Sequence, residues 1–230
     1  MAVGGLLKEI PSRPEPRLGG AEVVRRPVVC AVVLAAGQSR RMAGRDKLME
    51  LVAGEPLLRH VVQALSASSI DEIVVVLPPD PGDRLTALSG TTARTVNNPR
   101  AAEGMGTSVG AGVTALNAEA DAVLIVLADM PEVTAGDFDR LIAAFDPAED
   151  RAIVRAVTDT GKPGHPVLFG RRFFELLQAL EGDRGARSLI EDYPEFLVDV
   201  ALPGAVAATD LDTPEDWDAW RAARGGAPSD

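Results

Sequence analysis

The stretch from Val28 to Lys47, VVCAVVLAAGQSRRMAGRDK, limits what this chain can fold into more than any other. Val28, Val29, Ala31, Val32, Val33 and Leu34 form a near-continuous β-branched run, the pattern of a strand buried on both faces in a parallel sheet. Ala35, Ala36 and Gly37 then carry almost no side chain, so a ligand can approach their backbone N–H groups closely. Arg40, Arg41, Arg45 and Lys47 follow at once. Bare amides with several cations suit phosphate; the bland alternative is an ordinary strand-to-helix turn with a solvated basic run. The loop is not a P-loop, since no Gly-Lys-Ser/Thr follows, and Gly37 lacks the partners of the dinucleotide fingerprint.

Downstream, strands and helices alternate. Leu57, Leu58, Val61, Val62 and Leu65 recur at helical spacing, which predicts an amphipathic helix over 55–67. Apolar runs at Ile73 to Leu77, Arg94 to Val96, Ala122 to Leu127, Ala152 to Val157, Val167 to Phe169 and Phe196 to Val200 read as strands. Short helices are expected near Asp83 to Leu88, after Thr107 or Ser108 as cap, over Ala135 to Phe145 with Thr134 as cap, around Phe173 to Leu177, and after Thr213 with Pro214 in its first turn. The implied fold is α/β: a three-layer, doubly wound, mostly parallel sheet with a Rossmann-like arrangement, whose ligands sit at the carboxyl ends of the strands. One domain over 27–222 is expected, with a loose lead-in over 1–26 and a loose tail over 223–230.

Composition excludes some functions. The 230 residues carry 23 basic and 34 acidic side chains, a formal charge of −11, which argues against a general nucleic-acid binder. No window approaches the roughly eighteen apolar residues of a membrane span, and the first ten residues do not read as a secretory signal. The one cysteine, Cys30, sits inside the first strand as a small buried hydrophobe, compatible with a reducing, cytoplasmic setting.

Four later positions stand out. The glycine-rich stretch Asn97 to Gly112 is either a connector or a second wall of a nucleotide site. Asp129, where a buried strand reaches the ligand edge, needs a partner; Mg²⁺ beside a triphosphate is one and a helix N-cap the other, with Thr134 the better cap. His165 lies between a loop and a strand and is either structural or part of a substrate site. Asp210 and Asp212 stand at period-two spacing, so in extended chain both carboxylates face one way, an arrangement suited to a metal.

LAAG-x-S-x-R-M with its following Lys, the Asn-Pro then Gly-Met-x-x-Ser segment, Asp129-Met130-Pro131, Gly182-Asp183-Arg184-Gly185-Ala186-Arg187 and Asp210-x-Asp212-Thr-Pro-Glu-Asp together resemble the nucleotidyltransferases with a pyrophosphorylase-like fold. The likeness is to the branch comprising molybdenum cofactor cytidylyltransferase and molybdopterin-guanine dinucleotide synthase. It covers about Val28 to Trp220. It implies transfer of a nucleoside monophosphate from a nucleoside triphosphate to a phosphorylated pterin cofactor, with release of pyrophosphate.

The same resemblance implies roles. Leu34, Ala35, Ala36, Gly37, Ser39, Arg41, Lys47, Asn98, Gly104 and Ser108 would contact nucleotide, and Lys47, Arg41 and Asp129 would be catalytic. Asp129, Asp212 and then Asp210 would hold Mg²⁺, and His165 and Asp183 would face the acceptor. Ala36 and the Gly182-Asp183 string resemble the cytidylyl branch, whereas the Met42-to-Lys47 spacing with Asp46-Lys47 resembles the guanylyl branch; CTP is favoured over GTP. The expected partners are the nucleotide and the pterin, with a molybdenum hydroxylase as candidate recipient of the product, no nucleic acid and no membrane; the chain is expected as a monomer or weak oligomer. Sugar- or polyol-phosphate nucleotidyl transfer is the alternative within the fold, and a quinone-type dye oxidoreductase the alternative from another class.

Overall fold

The computed structural model describes residues 25–183 and 185–225; most of the expected lead-in over 1–26, Arg184 and the last five residues of the expected tail over 223–230 lie outside them. Among the described residues nine strands and seven α-helices follow in order: β1 (Val29–Leu34), β2 (Leu51–Val52), β3 (Glu55–Pro56), α1 (Leu57–Ser66), β4 (Glu72–Leu77), α2 (Asp83–Ala87), β5 (Arg94–Asn97), α3 (Met105–Thr114), β6 (Ala122–Leu127), α4 (Ala135–Ala144), β7 (Ile153–Val157), β8 (Pro163–Gly170), α5 (Phe174–Gln178), α6 (Arg187–Asp192), β9 (Leu197–Ala201) and α7 (Pro214–Ala223). All but β2 and β3, which pair as a small hairpin, form one seven-stranded sheet in the order β5-β4-β1-β6-β8-β7-β9.

Every ladder in that sheet is parallel except the two that β8 makes with β6 and β7. The chain winds outward from β1 to β4 and β5, then returns to the other side of β1 as β6. Their carboxyl ends part at this reversal, the place where open α/β sheets leave a crevice for ligand.

The strands are apolar on both faces because each face has its own core. Ala31, Val33, Val75 and Leu124 point to one side, against Leu58, Val61 and Leu65 of α1, Phe138 of α4 and Trp217 of α7. Val32, Val74, Val76 and Val123 point to the other, against Val109 and Val113 of α3, Leu177 of α5 and Leu189 of α6. Alternate residues of one strand thus serve opposite cores, as a two-residue side-chain period requires. Each fully buried aliphatic side chain contributes about 1.5–3 kcal/mol, so the sheet is the rigid part from which the loops are hung. Cys30 is fully buried in β1, and burial pushes its thiol up to about 12, which makes it inert packing.

Three expectations change. Glu55 and Pro56 belong to the hairpin and not to α1, because Leu51 pairs with Pro56 and Val52 with Glu55. Helix α3 starts at Met105 with Gly104 as its N-cap, and Thr107 lies inside the first turn, where its hydroxyl donates back to the carbonyl of Gly104 at 2.9 Å. Pro163 to Pro166, expected as loop, forms the first half of β8. Its prolines fit because the ladder with β7 shifts register between Arg155 and Val157, and its pairing to β6 does not extend past Val167 opposite Ile125. Gly164 is required there: a Cβ would lie 1.8 Å from the carbonyl oxygen of Ala207. Thr134 and Thr213 cap α4 and α7 as expected; the Thr213 hydroxyl accepts from the Asp216 amide at 3.2 Å.

Candidate active site

The end of β1 opens onto a cleft of about 600 Å³ at the carboxyl ends of β1 and β6. Leu34, Ala36, Gly37, Ser39, Arg41 and Lys47 form one wall. Gly104, Met105 and Ser108, at the start of α3, form the facing wall, and Leu127 and Asp129 line the cleft from the end of β6. Asp183, Asp210 and Asp212 reach the same space from two distant loops. The facing wall is held by close backbone packing: a Cβ on Gly104 would lie 2.3 Å from the carbonyl carbon of Gly182, and the Gly106 amide donates to the Gly182 carbonyl at 2.9 Å. This contact between α3 and the 182–183 turn is what carries Asp183 into the cleft.

Two of the expected nucleotide contacts are placed elsewhere. The Ala35 amide donates to Val76 O at 3.0 Å, continuing the sheet one residue past β1, and its carbonyl accepts from Arg84 at 2.6 Å. Neither group is open to a phosphate. Asn98 is buried, with Nδ2 donating to the hydroxyls of Thr107 at 2.9 Å and Ser108 at 3.0 Å while Oδ1 accepts from the Arg100 amide. It fastens the first turn of α3 instead of lining the cleft.

The charged groups meet at one point. Lys47 Nζ lies 2.5 Å from Asp129 Oδ2 and 2.6 Å from Asp212 Oδ1, and Arg41 Nη2 lies 2.5 Å from Asp212 Oδ2. Burial alone would lower the Lys47 pKa; the charge and hydrogen bond of Asp129, then those of Asp212, outweigh it and hold the ammonium above its ordinary range. Lys47 is therefore a permanent cation. Leu211, between the two acids, is buried and donates its amide to Asp129 O at 3.3 Å, which ties the 210–212 segment to the end of β6. Asp210 stands exposed at the rim.

The resembled family implies a divalent metal. The donor set fits one: Asp129 and Asp212 converge, and Asp129 Oδ1 is buried with no hydrogen-bond partner. Among the described residues no group of three or more His, Cys, Asp or Glu is arranged to hold an ion. One or two carboxylates completed by substrate phosphates is the usual setting for Mg²⁺, which seldom takes an all-protein cage.

A second cavity, of about 490 Å³, adjoins the first through Met105, which lines both. It lies along β8, from Pro163 to His165, which are not paired to β6, to Val167 and Phe169, which are; Val109, Ile125, Val167 and Phe169 form its apolar wall, and Lys162 and Arg187 are among its charged residues. His165 is here and not among the cleft-lining residues. Its Nδ1 is buried without a partner, and burial lowers its pKa against the opposing charges of Asp129 and Asp210, leaving a neutral imidazole at pH 7. Sequence reasoning missed Met105 as a shared wall, since its strongest signal, an apolar residue after Gly104, was absorbed into an expected loop.

The sequence model of the MobA-like NTP transferase domain matches residues 31–196. The purine catabolism protein PucB of Bacillus subtilis is 29% identical over 87% of this chain and 99% of its own length. The bifunctional protein GlmU of Sinorhizobium fredii is 30% identical over 57% of this chain, and the match spans 32% of GlmU; the chain thus accounts for about a third of the length of such relatives. Among solved structures, Rv0371c of Mycobacterium tuberculosis in complex with manganese superposes with a TM-score of 0.68 at 24% identity, covering 85% of this chain and 98% of that one.

Proposed function

The chain belongs to the MobA-like NTP transferase family, and on that premise we propose that it transfers a nucleoside monophosphate, CMP in preference to GMP, from the triphosphate to a phosphorylated pterin cofactor. The observation that carries this reading is the Lys47 ammonium held between Asp129 and Asp212 opposite the first turn of α3, with Arg41 beside it in the same cleft. The acceptor phosphate is ionised at neutral pH, so its oxygen attacks the α-phosphorus without a general base. The bond from the α-phosphorus to its bridging oxygen breaks, and pyrophosphate leaves with the electron pair.

The protein's task is then positioning and charge neutralisation. Lys47 and Arg41 exchange their carboxylate partners for phosphate oxygens and meet the charge that builds on the leaving group. Asp129 and Asp212 would hold the Mg²⁺, which would supply positive charge to the phosphates; the manganese complex of a protein with this fold supports a divalent ion here. Gly37, Gln38 and Ser39 line the cleft beside them. The Ala36 methyl leaves less room than a glycine would, which supports the smaller pyrimidine. The second cavity is the natural place for the acceptor: apolar walls suit a flat ring system, and Lys162 and Arg187 suit its phosphate.

A thermal-shift panel of CTP, GTP, ATP and UTP with Mg²⁺, followed by pyrophosphate release with a molybdopterin-type acceptor, tests the reading. CTP should give the largest shift, and release should need Mg²⁺, nucleotide and pterin together. Equal release with a sugar or polyol phosphate, or none with the pterin, overturns the acceptor assignment.

A further inference from the structure

We propose that Arg84 is a positioning residue for the transfer: its guanidinium clips the two ends of the phosphate loop together and so sets where Lys47 stands. Arg84 belongs to the short helix α2, outside the motif strings read from the sequence, yet only 6% of it is exposed. Its Nη1 donates to Ala35 O at 2.6 Å, at the loop's start. Its Nε and Nη2 donate to the two oxygens of Asp46, at 2.6 and 3.0 Å, at the loop's end. One planar fork therefore closes a loop that opens at 35 and ends at 46.

The hold passes on to Lys47 from both sides. Asp46 Oδ1 also accepts from the Ser39 hydroxyl and from the Leu48 amide, each at 3.1 Å, and Ser39 Oγ accepts from the Lys47 amide at 3.2 Å. Asp46 thus caps the 3₁₀ turn Lys47–Met49 while Ser39 ties that turn back across the loop. The loop needs such an anchor, because Ser39 and Ala43 have φ of 48° and 51°, a left-handed conformation that non-glycine residues adopt at a cost of about 1–3 kcal/mol. Burial raises the Asp46 carboxyl, but the hydrogen bonds and charge of Arg84 outweigh this and keep it ionised. Lysine cannot replace the fork: an ammonium is a point charge and does not span two carboxylate oxygens and a carbonyl on another segment.

The proposal rests on the reading of Lys47 as the phosphate-binding cation, and two measurements separate their fates. Amide hydrogen exchange of the ligand-free protein needs no substrate. In Arg84→Lys, peptides covering 36–47 should exchange at least about tenfold faster than in the wild type while β1 and β6 stay protected. Unchanged exchange in 36–47 overturns the clip, whatever the enzyme's substrate proves to be. For the transfer itself, Arg84→Lys should lower kcat/KM for pyrophosphate release about thirtyfold. In a Lys47→Ala background the same change should cost less than about threefold, because the group being positioned is gone. A loss that multiplies in full would mean that Arg84 acts only on general stability. If Arg84→Lys does not fold, Asp46→Asn, which keeps the side-chain shape and weakens the fork, is read by the same two criteria. Absence of turnover in the wild type with every nucleotide defeats the nucleotidyl reading and leaves the exchange result to decide the clip.

Discussion

The cleft between β1 and β6 gathers Lys47, Arg41, Asp129 and Asp212, whereas the cavity beside β8 is walled by Val109, Ile125, Val167 and Phe169; the two meet at Met105. The first lies at the end of parallel strands, where loops and a helix N-terminus supply amides and cations to whatever carries phosphate. The second lies along the antiparallel strand β8, whose first residues, Pro163 to Pro166, are not paired to β6. A phosphate chain is common to all nucleotides, and so it is met by backbone and charge. An acceptor must be told from its competitors, a task for wall shape and a few polar atoms such as His165. On the proposed reading, chemistry belongs to the charged cleft and selectivity to the apolar cavity.

Substitutions in the two places should therefore fail in different ways. Lys47→Ala removes the cation from the charged cleft and should lower kcat/KM for pyrophosphate release by a hundredfold or more, about 3 kcal/mol in the transition state; full activity would detach the cleft from catalysis. Gly104→Ala attacks the α3 wall of the charged cleft. Its Cβ would lie 2.3 Å from Gly182, at a φ of 125°, and urea unfolding should show a loss of about 2–3 kcal/mol. His165→Gln touches the apolar cavity alone: the KM for the acceptor should rise about tenfold, about 1.4 kcal/mol, with the KM for nucleotide unchanged. A shift in the nucleotide KM instead would merge the two cavities into one site.

The smallest effect concerns pH. His165 is held neutral, its folded pKa below its ordinary value, so below about pH 6.5 the unfolded chain binds a proton that the folded protein does not. Stability then rises with pH through that window and is lost on acidification. Urea unfolding at pH 7.5 and 5.5 should show a loss of about 1 kcal/mol at the lower pH, and that increment should vanish in His165→Gln.

The fold was largely legible because hydrophobic period is a local property. The runs at Val29–Leu34 and Ala122–Leu127 are apolar on both faces and could only be buried strands, and the Thr213-Pro214 pair announced α7. Pro163 to Pro166 was not legible, since a strand that owes its place to a register shift carries no period of its own. Within the site, Lys47, Asp129 and Asp212 were named from their segments, yet nothing in those segments says that the ammonium sits between the two carboxylates. Asn98 and Ala35 misled for the same reason: their types suit a ligand, and their polar groups are spent on Thr107, Ser108, Val76 and Arg84.

The sequence by itself determined the alternation of strands and helices, the small-residue loop after β1 and the identity of the charged residues near it, because each depends on neighbours a few positions apart. Only the tertiary structure decided which polar groups remain open to a ligand. A hydrogen bond between residues 84 and 46 or 47 and 212 depends on distances set by the whole sheet, and no local spacing encodes it. The loop from Ala35 to Lys47 reads as a phosphate cradle in one dimension; in three it is a loop closed by Arg84 and aimed, through Lys47, at two carboxylates, one past the end of β6 and one in the loop before α7.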